Sequence, residues 1–536
     1  MTPLALFVAA FLVRLAVGWL FGGPAYPDSY YYVNVAQQLA AGHGFQVDYV
    51  WSFIEVGGRL PAEPTLPIPS NGHWMPLASL VQVPFIWLVG ATPLAFGLPF
   101  WLAGAAAAPL TWAIGRDARL PAGASLAAGL MVAVPAGMTP FLSQPDNFGL
   151  FMPLGALALW LCARGLRGDR RAFVVGGLVV GLATLARTDG VLLSIPFALA
   201  LGTDLLRRAD ARRIGLLAGV ACAGLFVLVM APWLIRQLEV FGTLSPSAAS
   251  GRILWIADIS QLHSISGPPP TPASLLEQGL LPLLASRLEG LLWALALFAF
   301  LPLAVVLAPL ALVGAWVRRH DVTFQPFLVY AISLFAASAL LFAVHVPSGT
   351  FIHSAVALVP HTFLLVTLGV GVAVRWAGRR RTSWDSARAT TVFTHGAVLI
   401  AVLAGILQTT ITADRWSTHQ AIQSRLASGL SGTVRIERLA ASDAGAYRYL
   451  SGHGGIVTPN DPLDVIEAAL RAYDIRWLAL ESRAIVPALA PLLRGEARPG
   501  WLSAPVLTVP PATQGDPPAG ALYAVCLDAD DSRCAP

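Results

Sequence analysis

The sequence predicts an all-α polytopic membrane protein of about eleven transmembrane helices followed by a small C-terminal extracytoplasmic α/β domain. Three observations predict it. Only 12% of the 536 residues are charged against 56% hydrophobic, where a soluble globular chain carries about 25% charged residues. Apolar runs long enough to cross a bilayer recur nearly to residue 411. The basic residues gather in short loops between those runs rather than spreading over a surface. A barrel is excluded, because its strands alternate apolar and polar residues over about ten positions. There is no lysine, which excludes a P-loop and a pyridoxal Schiff base. The net charge of +5 and pI near 9.2 do not point to nucleic acid, since the arginines lie where membrane topology alone would put them.

Five arginine clusters set the orientation: Arg116/Arg119, Arg164 to Arg171, Arg207 to Arg213, Arg318/Arg319 and Arg375 to Arg388. The positive-inside rule assigns them to the cytoplasm. The predicted spans are 2–21, 95–115, 122–141, 148–163, 172–186, 190–206, 214–234, 288–317, 325–345, 355–374 and 391–411. The stretch 77–90 is apolar but interrupted by Gln82 and Pro84, and reads as a surface helix. The chain is expected in a cell (inner or plasma) membrane, with its N-terminus cytoplasmic and residues 412–536 outside.

The first run lacks a basic leader and an obvious cleavage site and carries Arg14 within it, so an uncleaved span is expected. Arg14 must then snorkel or pair inside the bundle. The first outer loop, 22–94, is too long for a mere connector. It opens P-A-Y-P-D-S-Y-Y-Y-V-N-V-A-Q-Q-L-A-A-G-H-G-F, read as a helix along the membrane surface. Ala36, Leu39 and Ala40 form its apolar edge, Tyr30 to Tyr32 suit an interface, and Gly42 and Gly44 end it. Asp28 at its start is either a functional carboxylate or the helix cap. The loop also holds Asp48, Glu55, Glu63 and N-G-H-W-M-P-L with His73 and Trp74.

The second outer loop reads S-Q-P-D-N-F, where Asp146 either caps the next span or takes part in chemistry. The fifth span ends A-R-T-D-G, so Arg187 either faces a ligand or neutralises Asp189. Arg236, in A-P-W-L-I-R-Q, is equally an interfacial anchor beside Trp233. His345 and His353 flank a glycine turn in H-V-P-S-G-T-F-I-H-S, among Ser348, Thr350 and Ser354. Beyond 411 the charge density rises. A helix over 461–473, a strand over 475–480 and another over 521–527 predict the outer α/β domain. Cys526 and Cys534 are either paired or free, and D-A-D-D at 528–531 reads as a solvated terminus.

Taken in order, P-D-S-Y-Y-Y-x-x-x-A-x-x-L-x-x-G-x-G-F, H-W-x-P-L, P-D, A-R-T-D-G, P-W-x-x-R and G-T-F-x-H-S resemble the GT-C superfamily. These are membrane glycosyltransferases that use polyprenyl-phosphate sugars, and the nearest types are protein O-mannosyltransferase-like and aminoarabinose-transferase-like enzymes. The resemblance covers about residues 1–410 in order and weakly the tail, and it implies a catalytic domain over 1–411. It implies an inverting transfer from a polyprenyl-phosphate-linked sugar to a lipid, glycan or protein acceptor on the outer face. It implies Asp28 and Asp146 as catalytic carboxylates, Arg187, Arg236 and His353 at the donor phosphate, and Tyr31, Glu55, His73 and Trp74 in the sugar or acceptor loop. Where the family often has Asp-Glu, Ser29 follows Asp28; where many members read H-P-P-L, this chain has H-W-M-P-L. No metal is expected as a requirement, because two carboxylates without a third ligand make a poor site; a divalent ion between Asp28 and Asp146 stays open. The competing readings are a lipid-substrate transporter or flippase, and a non-catalytic envelope-binding relative. The first would show an internal repeat and ionisable residues along a mid-membrane path; no convincing repeat is evident, and the acids cluster at one face.

Overall fold

The computed structural model describes residues 3–207, 212–380, 384–430, 437–496, 498–527 and 533. Cys534 and the D-A-D-D run lie outside the described residues. Among those described, eight helices are long and apolar enough to cross a membrane: Pro3–Phe21, Pro93–Asp117, Phe148–Leu166, Thr188–Leu206, Gly215–Phe241, Leu280–Phe300, Thr350–Gly378 and Ser386–Ser428. Shorter apolar helices span Leu77–Val89, Ala122–Met138, Ala308–Arg318 and Gln325–Leu341.

Proline accounts for most departures from the predicted spans. The run 122–141 holds a regular helix only over Ala122–Ala133, before Pro135 and Pro140 break it into short turns. The single span predicted at 288–317 is two helices, Leu280–Phe300 and Ala308–Arg318. Pro302 follows the first and Pro309 opens the second. Between them Ala304 (φ 47°) and Val305 (φ 61°) turn the chain through the left-handed region. The last helix, Ser386–Ser428, runs well past the change of composition near 412.

The chain divides into two compact units, one of Met1–Gly23, Trp74–Pro246 and Leu281–Ala413, the other of Pro24–His73, Ser247–Leu280 and Asp414–Pro536. The first is the helical bundle. Small residues let its helices meet backbone to backbone, as membrane packing favours. A Cβ on Gly369 would sit 1.9 Å from the Leu310 carbonyl oxygen, and one on Gly314 2.0 Å from that of Leu365. Those glycines seat the Ala308–Arg318 and Val359–Gly378 helices against each other. Arg14 is 1% exposed. Its guanidinium donates to the carbonyls of Ala10 (3.0 Å), Ala133 (3.3 Å) and Val132 (3.3 Å), so a buried cation is met by backbone oxygens.

The second unit is built on β-structure. Its strands are β1 Gln46–Val47, β2 Tyr49–Val50, β3 Ile68–Pro69, β4 Arg438–Ala441, β5 Gly455–Val457, β6 Ile475–Glu481, β7 Leu502–Val509 and β8 Gly520–Val525. β1 and β3 form a small antiparallel ribbon. The other six form one sheet in the order β2-β5-β4-β6-β8-β7, parallel from β2 to β6 and antiparallel across β8 and β7. The first outer loop therefore supplies a strand to the C-terminal sheet. β7 was not predicted; it carries Pro505 and sits at the sheet edge, where a missing N–H costs no ladder bond. Leu426, Leu430, Leu439, Tyr447, Trp477 and Leu522 form its apolar core.

Glu481, at the end of β6, is 2% exposed. It accepts from Tyr447 Oη at 3.1 Å, with His419 Nε2 at 3.4 Å. Burial pushes it up to about 7, against hydrogen bonds from Tyr447, Gln423 and Ser442. Neighbouring Asp443 is likewise pushed to about 7 by burial, opposed by the Ala446 amide it caps. Arg415 and Arg483 also face His419. An unfolded carboxyl titrates near ~4, so the folded domain keeps protons that the unfolded chain has released. That stabilisation is full below about 4 and lost as pH rises through about 7. The melting temperature of the purified full chain is expected to fall between pH 5 and 8, and Glu481→Gln to flatten the fall. Equal slopes for parent and variant would refute the assignment.

Candidate active site

In the bundle unit, three predicted residues come together. Asp146 is fully buried in the short loop before the Phe148–Leu166 helix. One oxygen accepts the Asn147 backbone N–H; the other lies 3.8 Å from His353 Nδ1. Part of Asp146 thus serves the helix start, and the rest faces a histidine. His353 is delivered by the Thr350–Ala355 helix, which follows Gly349 at φ 105°, a conformation that favours glycine. Its ring stacks on Phe148 with centroids 3.9 Å apart, and Nδ1 is 3.1 Å from Asn147 Oδ1.

Arg187 leaves the Arg170–Ala186 helix in extended backbone. Its Nε is 3.0 Å from Asp189 Oδ1, and its Nη2 is 3.3 Å from Asp189 Oδ2 and 3.4 Å from the Thr350 carbonyl. Ser354 Oγ donates to Asp189 Oδ2. The A-R-T-D-G and G-T-F-I-H-S motifs, more than 150 residues apart, are therefore joined directly. The Arg187–Asp189 pair considered as the plain alternative does form. Arg236 lies over the rings of Trp233 (4.9 Å) and Phe241 (5.4 Å) of its own helix, a geometry suited to anchoring. Trp74 also belongs to this unit and is 8% exposed.

Asp28, Tyr31, Glu55 and His73 belong to the second unit. The helix carrying Asp28 is Pro27–Ala40, and its N-cap is Tyr26, not Asp28. The capping side chain is Ser29, whose Oγ accepts from the amides of Ala25 (3.1 Å) and Tyr26 (3.2 Å). Tyr30, Tyr31 and Tyr32 do not lie at an interface: they are 2%, 0% and 0% exposed. Tyr31 Oη donates to Glu55 Oε1 at 3.2 Å and accepts the Asn71 amide at 2.6 Å. The Trp51 ring lies 5.2 Å from that of His73 and 6.2 Å from that of His263. Burial pushes Glu55 up to about 8, against hydrogen bonds from Trp51, Tyr31 and the His73 backbone. The shift favours the neutral acid, which can donate a hydrogen bond. Burial lowers His263 to about 4, so it is neutral as well.

Two groups went unremarked in the sequence. Gln144 is 1% exposed, and neither its amide nitrogen nor its amide oxygen has a hydrogen-bond partner among the described residues. A polar amide two residues before Asp146, in so short a loop, is the signal that would have found it. His263 lies in a stretch without any recognised motif. Asp146 and His353 are of the types that take a divalent cation, and their facing atoms are close enough for one ion to touch both.

The pattern of the dolichyl-phosphate-mannose-protein mannosyltransferase family matches residues 73–235. No curated protein matches by sequence. The fold is similar to ArnT from Cupriavidus metallidurans bound to undecaprenyl phosphate, at TM-score 0.54 and 14% identity, covering 98% of each chain. It is also similar to the Archaeoglobus fulgidus oligosaccharyltransferase, in the apo form at TM-score 0.51 and in a complex with zinc and sulfate at 0.53, both at 14% identity. Those matches cover 90% and 89% of this chain and 70% and 68% of the other. The chain thus shares its overall fold with ArnT and with the oligosaccharyltransferase.

Proposed function

We propose that this protein is a membrane glycosyltransferase that moves a sugar from a polyprenyl-phosphate donor to an acceptor hydroxyl on the outer face. The observation that carries the reading is the meeting of Asp146, His353 and the Arg187–Asp189 pair within a GT-C-type bundle. The family match and the likeness to a structure bound to undecaprenyl phosphate support a polyprenyl-linked donor.

In this reading the acceptor oxygen attacks the anomeric carbon as the bond from that carbon to the phosphate oxygen breaks, inverting the centre. Asp28 takes the acceptor proton, and polyprenyl phosphate leaves with the bonding pair. Arg187 meets the growing phosphate charge, with Arg236 and His353 as further candidates, because a guanidinium pairs well with phosphate. Asp146 orients His353. Protonated Glu55, Tyr31, His73 and Trp74 are proposed to hold sugar or acceptor hydroxyls. Any divalent ion bound at Asp146 and His353 would add positive charge beside the phosphate.

The test uses purified protein in sealed vesicles with a panel of polyprenyl-phosphate-linked monosaccharides. Release of polyprenyl phosphate is expected when donor and acceptor are supplied on the face opposite the arginine loops. Lipid binding without turnover would favour the non-catalytic relative, and donor movement between leaflets without transfer the flippase.

A further inference from the structure

A groove of about 310 Å³ opens in the bundle between the Ser194–Arg207 and Gln325–Leu341 helices. It lies near the small end of ligand sites, which begin at about 300 Å³, so it suits one acyl chain better than a whole bulky ligand. Its walls include Leu199, Val329 and Ile332, and its polar lining is Thr203, Arg319 and Gln325. Leu199 is 56% and Ile332 71% exposed. On apolar helices of the bundle such residues face hydrocarbon, so the groove opens sideways into the bilayer.

The charges around this groove are not balanced. Asp204 is engaged by Arg170 at 3.2 Å, and Asp321 by Arg318 at 2.8 Å. Arg319 has no carboxylate partner among the described residues. Its guanidinium lies 4.2 Å over the Trp316 ring and donates to the Trp316 carbonyl at 2.6 Å. Among the described residues the Gln325 side chain makes one long 3.4 Å contact, to the His320 carbonyl, and can turn toward a ligand. The mouth therefore offers one uncompensated guanidinium and one adaptable amide above an apolar channel.

We propose that this groove binds an anionic glycerophospholipid of the leaflet on the arginine-rich side, with Arg319 taking the phosphate and one acyl chain lying between the helices. Arginine suits that phosphate, and pockets of this kind between transmembrane helices favour anionic headgroups. The occupant differs from the proposed donor. Arg170, which holds Asp204 beside the groove, and Arg187, at the candidate active site, lie at opposite ends of the Arg170–Ala186 helix. Seventeen residues of helix span roughly 25 Å. A phosphate reacting near Arg187 cannot sit at Arg319. The inference rests on the bundle alone and stands whether or not the protein transfers sugar.

The experiment measures binding of phosphatidylglycerol, phosphatidylcholine and polyprenyl phosphate to the full chain by native mass spectrometry and by thermal shift in detergent. Phosphatidylglycerol is expected to bind and stabilise more than phosphatidylcholine. Arg319→Gln should weaken phosphatidylglycerol binding about tenfold, the scale of one lost charged hydrogen bond, with its lipid-free melting temperature unchanged. Ile332→Trp should fill the channel and lower binding of the same lipid, while Arg380→Gln, in another arginine loop, should not. The proposal is overturned if Arg319→Gln keeps the full preference, if the two glycerolipids bind equally, or if polyprenyl phosphate displaces phosphatidylglycerol from the parent.

Discussion

Asp28→Asn is expected to lower sugar transfer by about 10²–10⁴-fold, the contribution of a positioned general base, with the protein still folded. The competing account made Asp28 the cap of its helix. That role belongs elsewhere: Tyr26 is the N-cap, and Ser29 Oγ accepts from the amides of Ala25 and Tyr26. Asp28 lies within the first turn, where an acidic residue is favoured by the helix dipole by only about 0.3–1 kcal/mol. Asparagine keeps the shape and most polar contacts, so the stability loss should be small. The control is Ser29→Ala, which should cost ~1 kcal/mol of stability as a lost cap and leave transfer within a fewfold of the parent. Release of polyprenyl phosphate separates the two roles. A full-rate Asp28→Asn protein would mean another base. Loss of rate together with a melting temperature as low as that of Ser29→Ala would mean a structural residue.

This distinction was not legible in the sequence, because Asp and Ser are both good caps and stand side by side. What could be read was whatever depends on hydropathy and charge alone. Most of the apolar runs led to helices of the bundle, Arg14 is met inside it, and the changed composition after 411 pointed to the α/β region. The glycine turn before His353 was legible too, since few residues tolerate that backbone. The broken helices at 122–141 and 301–307 were harder, because proline is tolerated in membrane helices and its presence does not say where a break falls. The three tyrosines misled for a different reason. An amphipathic ring suits a bilayer interface and a buried hydrogen bond to Glu55 equally well, and only the fold decides. The joining of Arg187 to Thr350 and of Ser354 to Asp189 is a matter of tertiary packing, invisible along the chain. The resemblance grouped those motifs; the contacts supply the reason.

Arg187→Lys is expected to lower kcat/KM for the polyprenyl-phosphate donor by roughly 10²-fold, the scale of one lost donor to a developing oxyanion. The side chain is bound by Asp189 at 3.0 and 3.3 Å and by the Thr350 carbonyl at 3.4 Å, so its planar fork is held in one orientation. Lysine keeps the charge but cannot hold two carboxylate contacts and present a further donor in a fixed direction. If the pair with Asp189 is the whole purpose of Arg187, the variant should lose stability and keep its donor dependence. Asp189→Asn tests the same point from the other side. It removes the neutralising charge and leaves a hydrogen-bond acceptor for Arg187 and for Ser354, so a phosphate-binding arginine should bind the anionic donor as well or better. A purely structural pair would instead give two variants with lowered melting temperature and unchanged donor KM. Arg236→Lys completes the comparison, because its ring contacts at 4.9 and 5.4 Å favour anchoring and a smaller effect on donor use. If Arg187→Lys turns over donor at the parent rate while Arg236→Lys does not, the phosphate belongs with Arg236 and the Arg187–Asp189 pair is structural.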